Sequence, residues 1–540
     1  MSAAGTGAAA PPKGGALSPF RYRSFSVVWS ATVVSNVGSW LQTAAAGWLM
    51  TELTSNARVV ALVQVAGYLP LFLFVLPAGA LADVFNRRRL LLAMEVTGTL
   101  LAAGFAALVW RGEVTPGTLL AFLCLAGIAE ALATPAWQAV VPQLVPRKEL
   151  PAAVALNSVG INISRAIGPA LTGLVILELG MAAPFWLNAV SNFAVVGALL
   201  WWKPRQPDAT TLPPEGLRRA VRIGLRYTRH SPHLRATMAR AAAFFLFASA
   251  YWALLPLVAR VQLAGGAALY GLLLGAIGLG AIAGAFALPF LKQALGPNRL
   301  VALGTVGTAG ALVIFALAHS PAVALGGSLV AGVAWICVLA TLNLSAQVSL
   351  PAWVRGRGLA VFAMVLFGAM TLGSALWGLV AARFGLSTAQ LVAAGGAVAC
   401  IPLLEHFSLQ TGECLDLTPS MHWPEPILFE GAEKDRGPVL VTVEYFVKAT
   451  DREPFLAALA KLATERHRDG AFDWGVFEDA AQQGRFLETF QLESWLEHLR
   501  QHQRVTEADR VVQEAVRRFH IRGEPKVTHY IAPSIAELDG

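Results

Sequence analysis

Three ionisable side chains stand within long apolar stretches of this 540-residue chain: Glu95, Glu130 and Arg165. An unpaired charge in such surroundings is costly, so each is a candidate for a functional role. The stretches that hold Glu130 and Arg165 are consecutive, and if they run antiparallel the two side chains lie at similar depths. The residues leave open whether that pair is structural or functional. In the functional case, protonation of Glu130 would release Arg165 and couple proton movement to a conformational change.

A helix-bending pattern follows Arg165. Gly168 and Pro169 interrupt the helical hydrogen-bond ladder, and Gly173 allows a neighbouring helix to approach closely. The pattern predicts a bendable helix.

The elements that must position these residues are membrane spans. Hydrophobic residues make up 56% of the chain and charged residues only 14%, which is unlike an ordinary soluble protein. A span needs about 20 apolar residues, and twelve such stretches lie between residues 25 and 409. The longest polar interruption, from 203 to about 240, divides them six and six. We therefore predict an all-α polytopic membrane protein with two six-helix bundles, plus a small α+β ferredoxin-like cytoplasmic domain.

The predicted divisions follow from these patterns. They are a disordered leader at 1–20, a first bundle at 21–202, a cytoplasmic loop at 203–238, a second bundle at 239–411, a linker at 412–438 and a ferredoxin-like domain at 439–540. In the cytoplasmic loop, Leu217, Val221 and Leu225 share one face of a predicted amphipathic helix.

Charge gives the orientation. Residues 1–411 carry a net charge of +16 and residues 412–540 a net charge of −8. The arginines and lysines of the first part concentrate in alternate loops, which places those loops and both termini in the cytoplasm. Because the basic residues flank membrane spans, they are no argument for a nucleic-acid partner.

Further polar and aromatic residues of the spans are candidates for lining a substrate cavity. Amides also join helices and tryptophans also mark membrane interfaces, so this role competes with a structural one. The four cysteines show no metal-ligand or disulfide spacing, and no metal or cofactor is expected. The cavity candidates are Asn36, Gln42, Gln64, Asn343, Gln347 and Trp40.

The C-terminal 100 residues follow the order β-α-β-β-α-β, with the second helix broken near Val505 and Thr506. This order resembles the dimeric α/β-barrel domains of antibiotic-biosynthesis monooxygenases, which implies possible self-association. Histidines and a tryptophan that an enzyme could use are present but form no metal-spaced cluster with a carboxylate. A supporting or sensing role is therefore preferred over catalysis. These residues are His467, Trp474, His498 and His502.

The turn at residues 79–89 resembles the G-x-L-A-D-x-x-G-R-K-x loop of the major facilitator superfamily, with Val84 and Asn86 as departures. The pattern after Arg165 resembles the antiporter motif G-P-x-x-G-G, with Thr172 in place of one glycine. Residues 21–25, 35–40, 134–138 and 150–157 resemble the enterobactin and macrolide exporter branch. In that branch an arginine usually occupies the position of Trp137.

The resemblance implies an inner-membrane exporter that works by alternating access, driven by proton antiport. Its cargo would be a bulky amphiphilic molecule such as a drug or siderophore. The loop motif, Gly79, Asp83, Arg87 and Arg88, would form the cytoplasmic gate, while Glu130, Arg165 and Glu95 would couple protons. A proton-coupled importer and a membrane-tethered enzyme are the alternatives; an enzyme is not expected.

Overall fold

The computed structural model describes residues 17–84, 86–203, 217–405, 407–409, 416–420 and 436–532. Within these, only the backbone is described at 80, 82–84, 139, 147, 217–221 and 503. Most of the predicted leader and linker therefore lies outside the described residues.

The described part of the membrane body consists of helices joined by short turns. Ten helices within it are long and apolar enough to cross a membrane. The helices of the body are α1 (Arg23–Leu53), α2 (Ala57–Val84), α3 (Arg87–Arg111), α4 (Pro116–Leu144), α5 (Leu150–Leu179), α6 (Ala183–Trp201), α7 (Leu217–His230), α8 (Pro232–Leu257), α9 (Ala267–Leu317), α10 (Pro321–Val348), α11 (Arg355–Phe384) and α12 (Leu386–Leu403).

The 51-residue helix α9 contains two spans. Gly296 leaves helical geometry with φ 69° and ψ 169°, and Pro297 follows it. Glycine tolerates this positive φ, and proline cannot donate the next helical hydrogen bond, so the chain reverses here. With both halves of α9 and the 31-residue α1, the described helices supply the twelve predicted spans. The predicted fold class is confirmed.

The two bundles, α1–α6 and α8–α12, meet along two seams. One joins α2 to α11, and the other joins α5 to the first half of α9. A third connection comes from Arg260, whose Nη1 donates to Thr51 Oγ1 at 3.2 Å and whose Cζ lies 5.6 Å from the centre of the Trp48 ring.

The C-terminal domain has the predicted strand and helix order. It consists of β1 (Val439–Phe446), α13 (Arg452–Asp469), β2 (Phe472–Glu478), β3 (Arg485–Leu492), α14 (Trp495–Arg504), α15 (Glu507–Arg517) and β4 (Lys526–Ile531). The strands form one antiparallel sheet in the order β2-β3-β1-β4. The predicted break in the second helix is confirmed, because Thr506 caps α15 and shares a capping box with Asp509.

The C-terminal domain packs against α7 and the turn at residues 349–354. Arg226 Nη2 of α7 lies 3.7 Å from Glu497 Oε1, and Arg226 Nη1 donates to the Gly470 carbonyl at 3.4 Å. Two further arginines, Arg468 and Arg504, stack on the rings of Tyr227 and Trp353 at 5.4 and 4.5 Å. We term this face of the membrane body the tail side and the opposite face the far side.

Helix α7 therefore connects the second bundle to the C-terminal domain. Ile223 and Tyr227, which the predicted apolar face omitted, are buried, whereas Leu225 is exposed. Leu217 and Val221 lie among the residues whose side chains are not described. The buried face packs into the core of the membrane body, and the C-terminal domain adds Arg468 on the ring of Tyr227.

The C-terminal domain is expected to lose stability as pH rises. Burial and the nearby Asp509 raise the pKa of Glu465 from 4.5 to about 8. The folded domain therefore holds a proton that the unfolded chain releases above pH 4.5, so this stabilisation is complete below 4.5 and is lost as pH rises towards 8. The expected loss is roughly 1 kcal/mol per pH unit between about pH 6 and 8.

Hydrogen exchange of amides 439–532 in the full chain, corrected for intrinsic rates, measures this loss. Glu465→Gln keeps the shape and removes the titration, so its protection should not change over this interval. Equal losses in the native protein and in the Glu465→Gln variant would contradict the assignment.

Candidate functional site

A cavity lies between the two bundles and is partly open to solvent, and its empty space together with the solvent at its mouth is about 520 Å³. Helices α1, α2 and α5 line one side, and α8, α9 and α10 line the other. Its largest side chains are aromatic: Trp40, Trp252, Trp335 and Tyr270. Among the described lining residues, Arg165 alone carries a charge at neutral pH. Such a cavity suits a bulky, mainly apolar molecule with few polar groups.

Arg165 of α5 lies against α1. Its Cζ is 5.3 Å from the centre of the Trp40 ring, which is a cation–π arrangement. Its Nε is buried and has no hydrogen-bond acceptor among the described residues. Two of the predicted residues, Arg165 and Trp40, are thus brought into direct contact.

Glu130 lies within the α4 span, where its side chain is exposed rather than covered by other residues of the protein. It forms no ion pair with any side chain that the structure describes. The direct pair with Arg165 is therefore not formed in this conformation. Tyr68 of α2 lies within electrostatic range of both groups. The arrangement places a tyrosine, an acid and an arginine from three different helices in one electrostatic cluster.

Glu95 of α3 accepts a hydrogen bond from Trp137 Nε1 at 3.0 Å. Trp137 occupies the position at which the exporter branch usually has arginine, and it keeps a donor for this carboxylate. Because an indole N–H is neutral, the substitution removes a positive charge from the vicinity of Glu95. Glu95 also lies within electrostatic range of Glu130.

Only one of the remaining cavity candidates lines the cavity. Gln64 lines the cavity, and its Nε2 donates to the Trp252 carbonyl at 3.4 Å. Gln42 is buried between α1 and α6 of the first bundle, where it accepts a hydrogen bond from Asn188 Nδ2 at 2.8 Å. The cavity lining does not include Asn36, Asn343 or Gln347, and the last two hydrogen-bond to each other at 2.7 Å.

Arg88 links the turn at residues 79–89 to the end of α6. Arg88 donates to the carbonyls of Leu199 and Leu200 at 2.7 and 2.6 Å, in the last turn of α6. A cation at this position satisfies free carbonyls and complements the helix dipole. The side chain of Asp83 lies outside the described residues, so its role with Arg87 in the cytoplasmic gate stays a prediction.

Helix α5 continues through Pro169 without interruption. Thr172, which stands in place of the second motif glycine, donates to the Gly168 carbonyl at 3.0 Å. A Cβ at Gly168 would lie 2.5 Å from Trp40 Cβ, so this glycine allows α1 to approach. The motif therefore sets the close packing of α5 against its neighbours.

Gly173 allows a second close approach, to α9 of the other bundle. A Cβ here would lie 2.6 Å from Ala268 Cα and 2.7 Å from the Ala267 carbonyl oxygen. Such distances to backbone atoms leave no room for a side chain. The far halves of α5 and α9 thus form a closed contact between the bundles.

Two tyrosines of the site, Tyr68 and Tyr270, were not among the sequence candidates. Tyr68 follows Gln64 by four residues on α2, so the two share a helix face, and that spacing could have indicated it. Tyr270 stacks on Trp48 of the other bundle, with ring centres 6.1 Å apart. No local pattern indicates that contact.

The candidate residues of the C-terminal domain serve packing. Trp474 Nε1 donates to the buried Glu488 at 3.1 Å, and the His467 ring stacks on His230 of α7. His498 is buried, and burial together with His529 and His502 lowers its pKa to about 3. Within the described part of the chain, no three His, Cys, Asp or Glu residues are placed to hold a metal ion.

Comparisons with known proteins agree with this geometry. The family model described as transmembrane secretion effector matches residues 14–536. The chain is 24% identical to a staphyloferrin A transporter of Staphylococcus aureus, over 50% of this chain and 67% of that protein. It is 26% identical to the multidrug efflux pump Tap of Mycobacterium tuberculosis, over 36% and 49%. It is also 28% identical to the enterobactin exporter EntS of Citrobacter koseri, over 50% and 64%. The chain thus spans about half to two thirds of the length of these relatives.

Solved structures share the fold at low identity. A POT family transporter in complex with 5-aminolevulinic acid has a TM-score of 0.59 at 13% identity, covering 72% of this chain and 96% of that one. A bacterial homologue of the human lysosomal transporter Spinster, inward-facing and occupied, has a TM-score of 0.56 at 14% identity, covering 72% and 98%.

Proposed function

Because this chain belongs to the transmembrane secretion effector family of the major facilitator superfamily, it is a transporter, and we propose that it exports a bulky amphiphilic small molecule by proton antiport. The observation that carries the proposal is the aromatic cavity between the bundles, with Glu130 and Arg165 near one tyrosine. The relatives named for siderophore, multidrug and enterobactin transport support the choice of cargo and direction.

Alternating access would use the two seams between the bundles. In the described structure the bundles touch closely at the far side, through the small residues of α5 and α9. Rocking of one bundle against the other would open this contact and close the tail side around the same cavity. In that motion Asp83 and Arg87 would form the gate on the tail side.

Proton coupling is assigned to the membrane acids. A protonated Glu130 is neutral and is tolerated in either conformation, whereas the ionised form is costly inside the span unless a positive charge such as Arg165 approaches it. Proton binding on one side of the membrane would therefore favour one conformation, and proton release on the other side would favour the opposite one. Glu95 provides a second acid in the same field.

Location and assembly complete the proposal. The excess of basic residues in alternate loops favours a cytoplasmic tail side, and the proposal is therefore a multi-pass protein of the bacterial inner membrane with both termini inside. The C-terminal domain would support the second bundle through α7, and its exposed sheet face, which carries Phe477, Leu487 and Tyr530, would permit self-association.

Everted inner-membrane vesicles containing the full chain test direction and coupling. When the vesicle interior is more acidic than the medium, an exporter driven by proton antiport accumulates cargo inside the vesicle. Collapse of this pH gradient by a protonophore stops the accumulation. A macrolide, a catecholate siderophore and an aromatic dye serve as cargo. Accumulation only in right-side-out vesicles would instead establish the importer. Accumulation that is insensitive to the protonophore would remove proton antiport.

A further inference from the structure

One buried hydrogen-bond donor of the cavity lining, Nε of Arg165, lacks an acceptor among the described residues. Buried donors in folded proteins are almost always paired, and leaving one unpaired is unfavourable. An unpaired donor at a cavity wall is accounted for by a ligand or water that supplies the acceptor.

Charge narrows the choice of ligand. Arg165 brings a positive charge to an otherwise uncharged lining, and no described acid forms an ion pair with it. Its guanidinium is stacked on Trp40 rather than extended to a partner, which orders the side chain before any ligand arrives. A carboxylate supplies both the missing acceptor and the missing negative charge.

The rest of the lining determines the body of the ligand. Trp335 and Tyr270 present large ring surfaces next to Leu274 and Ile277. Flat apolar or aromatic groups pack well on such surfaces. The polar end and the apolar body are therefore recognised by different walls of one cavity.

We propose that the cavity selects amphiphiles that carry a carboxylate on an aromatic or polycyclic body, with Arg165 as the residue that determines specificity for the anion. This inference rests on the proposed function only in taking the cavity as the cargo site. It adds a charge preference that the export proposal does not contain.

The test is equilibrium binding to the detergent-purified full chain at neutral pH, without any gradient. Three probes differ only in their head group: pyrenebutyrate, pyrenebutanol and pyrenebutylammonium. Energy transfer from tryptophan to pyrene reports binding, with empty micelles as background. We expect pyrenebutyrate to bind at least about tenfold more tightly than the other two.

Two substitutions assign the preference to one residue. Arg165→Gln should remove the advantage of pyrenebutyrate and leave pyrenebutanol binding unchanged, while Arg165→Lys should keep part of the advantage. Arg260→Gln is the matched control, because Arg260 also stacks on a tryptophan but lies outside the cavity lining. Retained pyrenebutanol binding in Arg165→Gln shows that the variant is folded.

The outcomes separate this inference from the export proposal. Equal affinity for the three probes, or an advantage that survives Arg165→Gln, would overturn it, and water would then be the acceptor. Displacement of pyrenebutyrate by phosphatidylglycerol but not by unlabelled aromatic carboxylates would overturn it in favour of a lipid. Binding as expected with no gradient-driven transport would contradict only the export proposal.

Discussion

Gly173→Leu is expected to stop transport while leaving a folded protein. The far-side contact between α5 and α9 has no space at this position, since a Cβ would already lie 2.6 Å from Ala268 Cα. A leucine must separate the bundles, which should destabilise the far-closed state by roughly 3 kcal/mol and reduce its population about a hundredfold. Initial rates of cargo accumulation in everted vesicles measure the effect.

A control at equal depth distinguishes wedging from general damage. Gly104 of α3 is exposed, lies seven residues from the far end of its helix, and has no atom within 4 Å of an added Cβ. Gly104→Leu should transport at the native rate. If Gly173→Leu, monodisperse in detergent, also transports normally, the closed far-side contact is not part of the cycle.

Glu130→Gln is expected to abolish gradient-driven accumulation and to leave facilitated exchange of cargo intact. The amide has the shape of the protonated acid but cannot release a proton, so a gradient no longer biases the two conformations. The expected accumulation ratio falls to one, whereas cargo-for-cargo exchange continues through the same cavity. Everted vesicles preloaded with labelled cargo measure both quantities.

The same substitution elsewhere on the membrane body provides the comparison. Glu178 is exposed at the far end of α5, and Glu178→Gln should leave accumulation unchanged. Tyr68→Phe, which removes the hydroxyl within electrostatic range of both Glu130 and Arg165, should shift the pH at which accumulation is half-maximal. Full accumulation in Glu130→Gln would transfer the coupling role to another acid, with Glu95 the next to examine.

The C-terminal domain shows how far local pattern reaches. The order β-α-β-β-α-β and the helix break at Val505 follow from alternation and capping, which are properties of neighbouring residues. Its position on α7 depends on Arg226, Tyr227 and Trp353, which lie more than 70 residues from the domain that they contact. No short-range pattern encodes that contact.

The candidate site shows the same difference between what local pattern indicates and what distant contacts decide. Hydropathy identified Glu95, Glu130 and Arg165, because a charge inside an apolar stretch is visible without any structure. Their partners were not visible: Arg165 stacks on Trp40, Glu95 accepts from Trp137, and Glu130 has no ion pair in the described structure. A partner depends on how each helix is rotated and how deep it lies, and small rotations change which side chains meet.

The sequence by itself determined the spans, their division six and six, the family and the acids that lie within spans. These features depend on length, composition and short motifs, which act locally. Only the tertiary structure decided that Gln64 lines the cavity while Gln42 is buried between α1 and α6, and that Arg88 caps α6. The reason is physical: the membrane selects apolar residues on every face of a span, so hydropathy leaves the rotation of each helix undetermined, and packing between helices sets it.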